Sequence, residues 1–132
     1  MVAGKGETPV KTLAYLTTDE VNEATVVRMA SAYGALVVPF YPKEVSRSAQ
    51  FDAVLYDLDC LPTERGRKLL GDLLSAPTEK LVALHSFNVD EGLRHDLQQK
   101  GINVFRSLKS DWLRNLVTEQ SPALRIGRAL GL

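Results

Sequence analysis

Phe51–Pro62 reads FDAVLYDLDCLP, an apolar run, Ala53–Tyr56, that stops at two carboxylates, Asp57 and Asp59, and then a proline. A continuous apolar run of this length is the pattern of a strand buried on both faces, as in a parallel sheet covered by helices. The carboxylates then emerge at the strand's carboxyl end, where open α/β sheets place their ligands. One segment thus points both to a fold and to the place where any chemistry would sit.

Working outward, the chain alternates short apolar strands with amphipathic segments. Leu13–Thr17 (LAYLT) reads as a buried strand. The next segment opens with Thr17 and Glu20 in capping-box spacing and closes at Gly34, with Val26, Met29, Ala30 and Tyr33 as its inward stripe. Ala35–Phe40 is a second strand, ended by Pro39 and Pro42. Lys43–Gln50 leaves room only for a short helix. Beyond the Phe51 strand, Thr63 is the N-cap of a helix to Ala76 whose inward residues are Leu69, Leu70, Leu73 and Leu74, and Pro77 lies past its end. Lys80–His85 is a fourth strand. Asn88 or Asp90 caps a helix burying Val89, Leu93 and Leu97 and stopped by Lys100–Gly101. Ile102–Phe105 is a fifth strand, and Ser110–Gln120 a last helix carrying Trp112. This alternation predicts an α/β three-layer sandwich around a five-stranded parallel sheet with right-handed crossovers, with the second helix short or missing. Residues 1–10 read as a loose tail, 11–120 as the domain, and 121–132 as an extension or linker.

Composition bounds the function. At 132 residues the chain is one domain, able to bury roughly 68% of the surface its unfolded form exposes. Its 16 basic and 16 acidic residues cancel, so the basic footprint of a nucleic-acid binder is missing. The single cysteine, Cys60, excludes an intrachain disulfide and fits a reducing cytoplasm. No apolar run approaches the ~20 residues of a membrane span, and the N-terminus has no signal-peptide core. The expectation is a cytoplasmic domain that engages neither membrane nor nucleic acid.

Five βα units of this length, with Asp57 closing the third strand and Pro62 and Gly66 following, resemble the receiver domain of bacterial response regulators over residues 11–120. Pro62 and Gly66 each come one residue later than the family spacing, as if the loop carried an insertion at Asp59 or Cys60. KLVALHSFN resembles the family's fourth strand with its hydroxyl-bearing end, and GINVF resembles the entry to the fifth, with Phe105 at the aromatic position. The resemblance implies a five-stranded parallel sheet of flavodoxin-like type in the order 2-1-3-4-5, Asp57 as phospho-acceptor, and Ser86 and Phe105 as switch positions. It also implies Mg²⁺ as cofactor if phosphorylation operates, with Asp57 and Asp59 as the available ligands.

The rest of that machinery is sparse in this chain. The acidic-pair positions after the first strand are Thr17 and Thr18, and the nearest acids, Asp19 and Glu20, sit at the start of a helix, where they suit its dipole. The hydroxyl position falls on His85 or, one residue on, Ser86. The lysine position falls on Leu108, with Arg106 and Lys109 out of register. Other residues have plain readings: Asp59 as a solvated turn residue, His85 as a hydrogen-bonded structural histidine, His95 as surface, and Cys60 as a thiol raised by acidic neighbours.

Three functions remain open on the sequence. The first is a pseudo-receiver, a phosphorylation-independent interaction module for a signalling partner or a second copy. What the resemblance implies for that role is the surface of the family's fourth helix, fifth strand and fifth helix: Arg94, His95, Gln98, Phe105, Arg106 and Trp112. The second is a receiver switched through Asp57. The third is a flavodoxin-like binder of a nucleotide or other small ligand, disfavoured by the lack of a glycine-rich loop after the first strand. No pattern of an enzyme, and no other cofactor, is visible.

Overall fold

The computed structural model describes residues 11–32, 34–39, 51, 53–75, 81–105 and 120–132. In chain order the elements are β1 (Lys11–Leu16), α1 (Glu20–Ala32), β2 (Ala35–Pro39), β3 (Ala53–Asp57), a 3₁₀ turn (Leu58–Cys60), α2 (Glu64–Leu74), β4 (Leu81–His85), α3 (Glu91–Gln99), β5 (Val104–Phe105), β6 (Ser121–Pro122) and α4 (Ala123–Ala129). The short helix expected within 43–50 and the helix expected over 110–119 lie outside the described residues.

The first five strands pair in parallel, as the alternating pattern predicts, and in the order β2-β1-β3-β4-β5 that the receiver resemblance implies. β6 is an addition. It runs antiparallel to β4, matching Leu81 with Pro122 and Val82 with Ser121. The C-terminal segment therefore packs into the domain rather than trailing from it. Ala123 and Ile126 of α4 are buried, and the Arg125 guanidinium donates to the Lys100 carbonyl (2.8 Å) at the end of α3.

All five residues of β3 are buried, and their alternation divides the core in two. Ala53 and Leu55 face Leu13, Tyr15, Val26 and Ala30, under α1. Val54 and Tyr56 face Leu69, Leu70, Leu73, Leu97 and Ile126, under α2, α3 and α4. Each fully buried leucine contributes about 1.5–3 kcal/mol relative to an exposed one, so the central strand has a hydrophobic reason to be where it is on both sides. The fifth strand is shorter than its apolar run: Ile102 is buried but only Val104 and Phe105 join the ladder.

The caps follow side-chain chemistry. Thr63 accepts from the Gly66 N–H at the start of α2, and Asp90, not Asn88, accepts from the Leu93 N–H at the start of α3. The box expected between Thr17 and Glu20 does not form. Asp19 caps α1, accepting from the N–H groups of Val21 (2.9 Å) and Asn22 (3.0 Å), because the Thr17 hydroxyl is engaged elsewhere. α1 and α3 are followed by Gly34 and Gly101 with φ of 79° and 80°, a left-handed turn that glycine adopts without strain.

Gly66 has a different role. It lies where the first turn of α2 rests on the 3₁₀ turn, and a Cβ there would overlap the carbonyl group of Cys60. The Gly66 carbonyl also accepts from the buried Tyr56 hydroxyl (2.7 Å). The turn that carries Asp59 is thus set by backbone-to-backbone contact. Gly66→Ala is expected to lower stability by about 3 kcal/mol, the upper end of overpacking costs. Gly127→Ala, which meets only the flexible end of Leu74, is expected to lose clearly less. Urea denaturation of both variants checks the ranking.

Candidate functional site at the carboxyl edge of the sheet

The register sets Leu16 beside Tyr56 and Asp57 beside His85, so the carboxyl ends of β1, β3 and β4 lie in one row. Asp57 is the last residue of β3 and its side chain is fully withdrawn from solvent. A carboxylate there needs donors, and three neutral ones supply them. Thr17 Oγ1 and Asn22 Nδ2 donate to Oδ2 (2.6 and 3.0 Å), and the Asp59 N–H donates to Oδ1 (2.9 Å).

Asp59, expected as a solvated turn residue, is the second focus of the site. Its Oδ2 accepts from Asn22 Nδ2 (2.9 Å) and from the Phe87 N–H (3.0 Å). Its Oδ1 accepts from the Ser86 hydroxyl and, longer, from the Asn88 N–H (3.3 Å). Burial pushes the Asp59 pKa up, but the bonds from Ser86, Phe87, Asn22 and Asn88 outweigh it and hold the carboxyl below its ordinary value. Asn22 therefore bridges both carboxylates with one amide group, and the sequence reading missed it.

His85 stands across the ladder from Asp57 and is fully buried. Its Nε2 is hydrogen-bonded to the Tyr15 hydroxyl and lies 3.7 Å from Asp57 Oδ1, while Nδ1 has no partner among the described residues. Phe87 packs edge-on against the ring, with centroids 5.0 Å apart. Burial lowers the His85 pKa, against an opposing pull from Asp57 and then Asp59, so the imidazole is neutral at pH 7. Burial likewise raises the Tyr15 and Cys60 pKa values, with Asp57 adding to each. For Cys60 the burial effect is larger than the acidic neighbours that the sequence points to.

The other sequence-marked residues divide between this edge and the flank of α3. Ser86 is fully buried and binds Asp59. Phe105 is half-buried against the cluster under α1. On α3, Arg94 is half-buried with Nη1 3.5 Å from Glu91, and His95 and Gln98 are exposed. Arg106 and Trp112 lie outside the described residues. Beside Asp59 the surface dips into a pocket of about 440 Å³, with Leu58, Val89 and Leu93 among its apolar walls and Asp19, Asp59 and Asp90 as its acidic ones.

A magnesium ion needs oxygen ligands in near-octahedral array, and the described residues, as oriented here, do not present that array. Between Asp57 and Asp59 the facing group is an amide NH₂, a donor. Among the described residues no three His, Cys, Asp or Glu side chains are grouped to hold a metal.

The architecture has counterparts among solved structures. The receiver domain of the sensor histidine kinase PA1611 from Pseudomonas aeruginosa, whose structure has a magnesium ion in its active-site cleft, superposes with a TM-score of 0.54 at 19% identity, over 93% of this chain and 99% of that one. The fold is that of a response-regulator receiver domain. Full-length FixJ from B. japonicum matches with a TM-score of 0.54 at 15% identity, this chain covering 60% of FixJ and 92% of itself being covered. A putative pilus assembly-related protein from Burkholderia pseudomallei matches at 0.57 and 13% identity, over 86% of this chain and 94% of that one. No protein-family model and no curated sequence matches the chain. In this receiver fold, as described, the strand-three carboxylate is enclosed by Thr17, Asn22 and the turn that follows it.

Two predictions test the site. A histidine whose folded pKa lies below its ordinary 6.5 contributes stability above pH 6.5, and that contribution is lost as pH falls through this value toward the folded pKa. Stability measured by urea denaturation is expected to decline from pH 7 to pH 5, and His85→Gln is expected to flatten that decline. Asn22→Leu, which removes the donor shared by two carboxylates, is expected to lower stability by about 2–4 kcal/mol at pH 7.

Proposed function

We propose that this domain is a signal-transduction interaction module that keeps the receiver fold and works without phosphoryl transfer. The observation that carries the reading is the enclosure of Asp57. Its side chain has no solvent exposure, and its oxygens take bonds from Thr17, Asn22 and the Asp59 amide. A phosphodonor must reach a carboxylate oxygen in line, and developing charge must be met by a cation or strong donors. Here the approach is filled, and donors that would meet an incoming phosphoryl group are already bound to Asp57 and Asp59. On this reading the chain is not an enzyme and needs no cofactor.

Its work is then recognition of another protein, either a second signalling domain or a second copy. The surface favoured for this role is α3 with the end of β5, where His95 and Gln98 are exposed and Arg94 and Phe105 half-exposed; Arg106 and Trp112, which the sequence adds to it, lie outside the described residues. Mixed aromatic and arginine character of this kind is enriched at interfaces. Location in the cytoplasm fits the single buried thiol, Cys60.

The test is an NMR titration with Mg²⁺ and then beryllofluoride, a mimic of an acyl phosphate. Shifts of Asp57, Ser86 and Phe105 in the wild type are expected to be absent. Saturable shifts at those residues, lost in Asp57→Asn, would establish a phosphorylation switch instead.

A further inference from the structure

We infer that Asp59 is a built-in anionic clamp, a carboxylate that holds the β4–α3 loop in one conformation with no bound group. This rests on the reading above and goes beyond it by naming what takes the place of a transient anion. The geometry is specific. Three successive residues of the loop, Ser86, Phe87 and Asn88, direct a hydroxyl and two backbone N–H groups at the same carboxylate. The Asn88 N–H also donates to Ser86 Oγ (3.1 Å), which closes the loop on itself around the anion. From the opposite side Asn22 Nδ2 ties the carboxylate to α1.

Consecutive donors converging on one point form an anion-binding concavity. Such a concavity is ordinarily filled from solution. Here the occupant is covalently part of the chain, carried by the 3₁₀ turn Leu58–Cys60 between Asp57 and Cys60. The turn is in turn held in position, since the Asp59 N–H donates to Asp57 and Gly66 rests on Cys60. The anion is therefore delivered at fixed height by β3 rather than captured. Ser86 is fully buried, so its hydroxyl has no solvent alternative to Asp59.

The consequence is conformational. Phe87, which follows the clamped serine, packs edge-on against His85, and His85 pairs in register with Phe105 on the edge strand. Holding the loop thus fixes the aromatic end of β4 and β5, whose Phe87 and Phe105 pack against the cluster under α1. With the anion always present, the loop has one resting arrangement instead of two.

The experiment compares the wild type with Asp59→Ala and Asp59→Asn by native-state amide exchange and NMR shifts. Exchange of the Phe87 and Asn88 amides is expected to speed up at least about tenfold in Asp59→Ala, since each loses a bond to a charged acceptor. Amides in the middle of β1 and β3 are expected to keep their protection. Added formate, a free carboxylate small enough for the vacated place, is expected to restore the Phe87 and Asn88 signals in Asp59→Ala. If Asp59→Ala does not fold, the same local acceleration is expected in Asp59→Asn, whose amide can accept at one atom only. Unchanged loop exchange, or acceleration spread evenly over the whole sheet, would overturn the clamp. A wild type that responds to beryllofluoride overturns the phosphorylation-independent reading, whereas loop exchange indifferent to Asp59 overturns the clamp alone.

Discussion

A carboxylate removed from water at the end of a strand buried on both faces has to be satisfied from within, and the carboxyl edge of this protein is organised around that requirement. Asp57 cannot reach solvent, so the Thr17 hydroxyl, the Asn22 amide and the next turn's backbone are drawn to it. Each of those engagements has a further effect. With Thr17 engaged, α1 is capped by Asp19; with Asn22 aimed inward, α1 is anchored to the turn after β3. The turn then places Asp59 against the loop after β4.

The site is notable for how its charge is balanced. Two carboxylates lie close enough to share one amide group, and among the described residues no lysine or arginine pairs with either. Their charge is met by oriented dipoles: hydroxyls, backbone N–H groups and one side-chain amide. Fixed dipoles of this kind stabilise an anion without bringing an opposite charge into a low-dielectric place. They are also short-ranged and enclosed, so they are less exposed to salt than a surface ion pair would be. His85 completes the arrangement as a neutral neighbour, kept uncharged by burial against the pull of Asp57. A site balanced by neutral donors favours permanence over exchange, which supports the proposed reading without phosphoryl transfer.

How much of this was legible in the sequence depends on whether local or distant partners decide a residue's role. The strand Ala53–Asp57 and the cap Thr63 rest on patterns within a few residues and could be read directly, Asp90 was one of two candidate caps, and the order of the sheet followed from the receiver resemblance. The capping box at Thr17 was misread because its competitor, Asp57, is forty positions away in the chain. Asp59 looked like a solvated turn residue because its loop partners come nearly thirty positions later. One signal was available and unused. Asn22 occupies the stripe of Val26 and Ala30, at spacings of four, so a polar residue stood on the buried face of α1. A polar residue in such a place must have a buried partner. The C-terminal helix carried a comparable cue, since Ala123, Ile126 and Gly127 fall on one face and are buried together.

The edge of β4 is shared by two strands from different parts of the chain. β5 takes its upper half in parallel, and β6 takes its lower half running the other way. The two contacts differ greatly in how long the chain must wait to make them. At synthesis rates of about 5–20 residues per second, about two to eight seconds separate the emergence of Val82 from that of Ser121. During that interval the lower edge of β4 carries unpaired backbone groups beside the apolar Leu81 and Val82, a surface able to accept a foreign strand. The antiparallel pair at Ser121–Pro122 thus covers this half of the β4 edge late in the order of synthesis.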